Sequence, residues 1–93
     1  MKVTQVKVFS VDNQDRLKAY ASVVFDNCFI VRDLRIIQGN KGLFVAMPSK
    51  KGRDGRYSDI AHPLNQQTRD MIEESVLKAY QEATTGQKDT VEE

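Results

Sequence analysis

The sequence predicts an α+β fold, an antiparallel β-sheet of four to five strands followed by one long C-terminal α-helix. Three observations carry that expectation. Apolar and polar residues alternate with a period of two from Leu17 to Phe25, turn formers separate the apolar runs of the first sixty or so positions, and beyond Asn65 the apolar residues fall three and four apart. Strand-like periodicity comes first and helix-like periodicity last, so the helix follows the sheet. With 93 residues there is room for one domain and a small core.

The first element runs from Lys2 to Val11, with Val6 and Val8 on one alternating set and Lys7 and Phe9 on the other. Asp12-Asn13-Gln14-Asp15 ends it with turn formers. In the second strand Leu17, Ala19, Ala21, Val23 and Phe25 share a face, and Lys18, Tyr20, Ser22 and Asp26 take the other. Asp26-Asn27 suits a two-residue hairpin loop, because both residues tolerate a left-handed backbone. A third strand, Cys28 to Ile37, then puts Ile30, Leu34 and Ile36 on one side of the pleat and Phe29, Val31 and Arg35 on the other. That alternation sets Arg32 and Arg35 on opposite faces. Gln38 to Gly42 supplies the next turn, and Leu43 to Met47 a short fourth strand, apolar and covered on both faces, that Pro48 stops. Tyr57 to Ala61 is a candidate fifth strand. Pro63 keeps the helix from beginning earlier, Asn65 is its N-cap, and Ile72, Val76, Ala79, Tyr80 and Ala83 form the apolar stripe of about five turns. The domain accordingly spans residues 1–83, and 84–93 forms a flexible acidic tail.

Composition narrows the function classes. Apolar residues make up 40% and charged residues 29% of the chain, a globular rather than a disordered balance. The longest apolar runs fall short of the roughly 18 residues a membrane helix needs, and the N-terminus lacks the apolar core of a signal peptide, so a cytoplasmic protein is expected. Cys28 is the single cysteine, which excludes an intrachain disulfide and a multi-cysteine metal site; a small core residue is the expectation for it. His62 is the single histidine, and although Asp59 stands three residues before it, no nucleophile accompanies the pair. Gly52-Arg53-Asp54-Gly55 lacks the spacing and the Lys-Ser/Thr ending of a phosphate-binding loop. No catalytic residue, metal site or cofactor is expected, and the chain does not read as an enzyme.

Charge is uneven. The net value is +1, yet residues 32–56 hold seven Lys/Arg against Asp33 and Asp54. Within MPSKKGRDGRYSD, residues 47–59, the cations Lys50, Lys51, Arg53 and Arg56 fall inside seven positions, with Gly52 and Gly55 permitting tight curvature. Lysine offers point charges and arginine a bidentate fork, a combination suited to phosphate. The plainer alternative is a solvated hairpin tip. Arg32, Arg35 and Lys41 are additional basic candidates, of which at most one of the two arginines joins the same surface if they occupy opposite faces.

The stretches FDNCFIVRDLRIIQGNKGLFVAMPSKK and GRYSDIAHPLNQQTRDMIEESVLKAY resemble the SpoVG family of bacterial stage V sporulation protein G and septation proteins, over about Met1 to Tyr80. The resemblance implies a small homodimeric α+β protein that binds nucleic acid, DNA first and RNA as the alternative, in the cytoplasm or at the nucleoid. It also implies roles in regulating gene expression and, in spore formers, asymmetric septation. Carried over to this chain, the binding positions are Lys50, Lys51, Arg53 and Arg56, with Tyr57 as a stacking neighbour. The family often has a Thr-Pro-like or Thr-Arg pair where this chain has Gly52-Arg53. The competing function class is a protein-interaction module: an edge strand or helix face would recruit a cell-division or transcription partner without direct nucleic-acid binding. A small core and a two-faced apolar fourth strand point independently to the homodimer.

Overall fold

A computed structural model describes residues 1–11 and 15–84. Four strands form one antiparallel sheet in chain order: β1 (Val3–Ser10), β2 (Leu17–Phe25), β3 (Phe29–Gly39) and β4 (Gly42–Ala46). Two short strands, β5 (Ser49–Lys51) and β6 (Tyr57–Asp59), pair separately as an antiparallel ribbon, and α1 (Gln66–Thr84) closes the chain. This is the predicted α+β arrangement. The candidate fifth strand exists in shortened form, and its partner is drawn from residues read only as loop. Of the predicted turn 12–15, residues 12–14 lie outside the described residues, as do residues 85–93 of the predicted tail 84–93; Thr84, placed in that tail, is the last residue of α1.

The strand alternation and the helical stripe meet in a single core. Ala19, Ala21, Val23 and Phe25 of β2 are buried together with Leu34 and Ile36 of β3, Val45, Met47, and Ile72 and Val76 of α1. Val6 and Val8 of β1, with Leu77 and Tyr80 of the helix, pack against that cluster from its margins. Each fully buried Val, Leu or Ile contributes about 1.5–3 kcal/mol relative to exposure. The helix crosses the inner face of the sheet, touching β1, β2 and β4. Its start is fixed as the sequence predicts, with the Thr68 amide donating to Asn65 Oδ1 at 2.8 Å.

Three expectations need correction. Cys28 is exposed, because it belongs to the turn rather than to β3 and its amide donates to Phe25 O at 3.0 Å. The connection is therefore three residues, Asp26 to Cys28, with Asp26 (φ 51°) and Asn27 (φ 57°) both left-handed. Second, β4 is not covered on both faces: it is an edge strand, and Phe44 is exposed on the side away from the helix while Val45 is buried. Third, β3 does not keep one alternation. Ala21 pairs with Leu34 and Val23 with Val31, so Ser22 alone stands opposite both Arg32 and Asp33. That β-bulge inserts one residue, and Asp33 absorbs it at φ 65°.

The bulge reverses the pleat for the first part of β3. Val31 turns inward and packs on the core, whereas Ile30 turns out. Arg32 and Arg35 consequently share the outer face of the sheet instead of opposing one another.

Candidate nucleic-acid interface

The run Lys50 to Arg56 is a closed, hydrogen-bonded hairpin rather than an open loop. Ser49 pairs with Asp59, Lys50 with Ser58 and Lys51 with Tyr57. At the tip the Gly52 amide donates to Arg56 O at 2.7 Å, and the Gly55 amide donates back to Gly52 O at 3.1 Å. Gly55 sits at φ 83°, which is why glycine stands there. Asp54 shapes the same turn: its Oδ1 accepts from the Arg56 amide at 3.0 Å, and its Oδ2 lies 3.9 Å from Arg56 Nε. Both side chains of that ion pair are mostly in solvent, so it contributes little to stability.

All seven residues from Lys50 to Arg56, and Tyr57 after them, are exposed. The four cations do not form one flat patch. In a two-stranded ribbon successive side chains point to opposite faces, so Lys51 shares a face with Tyr57 while Lys50 shares the other with Ser58. Arg53 and Arg56 occupy the tip between them. A partner gripping the tip meets charge from both sides of the ribbon.

Arg35 is the residue that positions the hairpin. From β3 its Nη2 donates to Met47 O and to Ser49 Oγ, each at 3.2 Å, and the Ile60 amide donates to Pro48 O at 2.7 Å at the base. Arg35 is thus half-buried and structurally engaged rather than a free basic contact. A surface depression bounded by Tyr20, Arg35, Ser49 and Tyr57 joins the ribbon to the outer face of the sheet. Arg32 is exposed on that outer face. Lys41, by contrast, stands in the β3–β4 turn, at the far end of a five-residue strand from the hairpin, roughly 17 Å along β4. The structure does not bring it to the site.

Sequence reasoning missed the positioning role of Ser49 and Pro48. Its signal was faint, since three polar residues make a strand without apolar alternation. His62 Nδ1 lies 3.0 Å from Pro63 O and is exposed. Among the described residues no group of His, Cys, Asp or Glu is arranged to hold a metal ion, and no helix is long and apolar enough to cross a membrane.

Comparison with known proteins adds an independent line. A family model described as SpoVG matches residues 1–82. A protein named "Putative septation protein SpoVG" from Bdellovibrio bacteriovorus is 62% identical over 91 residues, covering 98% of this chain and 83% of its own. Proteins of the same name from Caldicellulosiruptor bescii, 52% identical over 81 residues, and Phytoplasma australiense, 54% identical over 82 residues, cover 87% and 88% of this chain. They are matched over 92% and 85% of their own lengths.

Proposed function

The chain belongs to the SpoVG family, and from that premise we propose that it is a nucleic-acid-binding regulatory protein with a septation-related role, gripping phosphates with the β5–β6 hairpin. The observation that carries the reading is the hairpin itself. It projects Lys50, Lys51, Arg53 and Arg56 into solvent on a hydrogen-bonded ribbon whose tip carboxylate, Asp54, is spent on its own turn. Screening confines a charge's field to about 10 Å, so such a cluster attracts a polyanion although the whole chain is nearly neutral. DNA is the first candidate and RNA the alternative, since phosphate contacts are common to both. The protein acts in the cytoplasm as a homodimer, a state favoured by its small core. Two hairpins on one partner would then add their contacts.

The test is a binding titration across salt concentration, comparing wild type with the variant Lys50→Ala/Lys51→Ala/Arg53→Ala/Arg56→Ala. With about three phosphates neutralised per protomer, log affinity for a duplex falls with log salt at a slope of about −5. The variant loses most of that slope. An unchanged slope in a folded variant would falsify the reading, and sedimentation at the 10.6 kDa chain mass would count against the dimer.

A second reading rests on the sheet edge. β4 pairs with β3 only from Arg35 to Gly39, which leaves Phe29 to Leu34 without a ladder partner on that side among the described residues. Such an edge is a template for an added strand. Partners that persist in a pull-down after nuclease treatment would favour this reading over the first.

A further inference from the structure

The outer face of the sheet, opposite the helix, carries rings and cations together. Phe9 is 57% exposed, Tyr20 41% and Ile30 51%, well above what the buried inner face shows. Phe9 pairs with Tyr20 across β1 and β2, and Tyr20 pairs with Arg35 across β2 and β3. The three form one cross-strand row with neighbouring strands about 4.8 Å apart. Lys7 and Arg32 lie beside this row, and both line a surface depression with Phe9, Tyr20 and Ile30. Arg32 is there only because the bulge at Asp33 reverses the pleat. The row then continues through the depression shared by Tyr20, Arg35, Ser49 and Tyr57 onto the ribbon, where Tyr57 faces the same way as Lys51.

We propose that the outer sheet face and the β5–β6 hairpin form one continuous track for single-stranded nucleic acid, in which Phe9, Tyr20 and Tyr57 stack bases while Lys7, Arg32 and the hairpin cations hold phosphates. The proposal rests on the nucleic-acid reading of the hairpin and adds the substrate class. Exposed aromatic faces are sequence-tolerant platforms for unpaired bases, whereas the bases of a duplex are already stacked and present no free ring face. Charge complementarity selects this occupant over a second copy of the chain. The face carries Lys7, Arg32 and Arg35 against Asp33, so a two-fold pairing of the face with itself would bring like charges together. A polyanion with planar bases satisfies the cations and the rings at once.

The experiment is fluorescence anisotropy with three probes: labelled decamers of dT and of U, and a ten-base-pair duplex. Phe9→Ala/Tyr20→Ala is expected to weaken decamer binding about 10- to 100-fold, the range for losing stacking on one or two bases, and to change duplex binding less than twofold. Tyr20→Phe, which keeps the ring, retains decamer binding. Lys7→Glu/Arg32→Glu weakens the decamers as well, while the hairpin variant weakens all three probes. Whichever decamer responds more strongly to the ring substitutions assigns DNA or RNA to the track. Decamer affinity that survives both the ring and the Lys7/Arg32 substitutions overturns the track and leaves the hairpin reading standing. Conversion of a dimer to a monomer by the ring substitutions also overturns it, because the face would then be a contact between copies. Hairpin substitutions without effect on any probe sink the underlying reading instead.

Discussion

At the scale of single residues, Asp33 decides more than its neighbours. It holds a φ of 65°, a left-handed backbone that costs most side chains about 1–2 kcal/mol and that Asp and Gly tolerate better. Thermal denaturation should find Asp33→Gly near neutral and Asp33→Val destabilised by about 1–2 kcal/mol; equal melting of the two variants would contradict the bulge. Nothing in the letters announced this position. Ile30, Leu34 and Ile36 are evenly numbered and read as one face, and only the pairing of β2 with β3 shows that Val31 is the inward residue. Gly55 makes the opposite case, since a Gly between charged residues already signals a turn. Its substitution by Ala meets no neighbouring atom within 4 Å, so the expected penalty of about 1 kcal/mol is backbone strain alone. It should appear as weakened phosphate binding with all four cations still present.

Among the elements, the helix was the most legible and the ribbon the least. Helical spacing identified Ile72 and Val76, and both are buried; the capping residue was legible because few side chains accept from the N3 amide. Asn65→Ala should cost about 1 kcal/mol and lower the melting temperature by about 4–8 °C, measurable by circular dichroism. β5 escaped reading because Ser49, Lys50 and Lys51 have no apolar partner pattern, and their strand exists through register with β6 and the clamp from Arg35. The basic residues were legible as a cluster by composition. Their distribution over two faces of a ribbon was not, since that follows from pairing.

Over the whole molecule, stability and the proposed recognition occupy different surfaces. The inner sheet face and the helix supply the core, while the outer face and the ribbon carry the exposed rings and cations. A domain of this size has a total stability of roughly 5–14 kcal/mol, so Leu34→Ala, expected to cost about 2–5 kcal/mol, should remove a large share of it in urea denaturation. The ring and hairpin substitutions, made at exposed sites, should leave the denaturation midpoint nearly unchanged. The sequence made this division visible in outline through the alternation of β2, but Cys28 and Phe44 were placed inside or under cover and Ile30 on the face of Leu34 and Ile36, when all three are exposed, because burial depends on the opposing layer as well as on side-chain type. Among the described residues the ribbon is held to the body by Arg35, through Met47 O and Ser49 Oγ, while the Ile60–Pro48 hydrogen bond closes the ribbon's own base. In the language of hydrogen exchange, the ribbon is a unit with its own clock. Its amides at Gly52 and Ile60 should pick up deuterium well before those of β2, and Arg35→Ala should hasten them further without touching the slow core. The proposed grip on nucleic acid would then loosen and re-form many times during the life of one folded molecule.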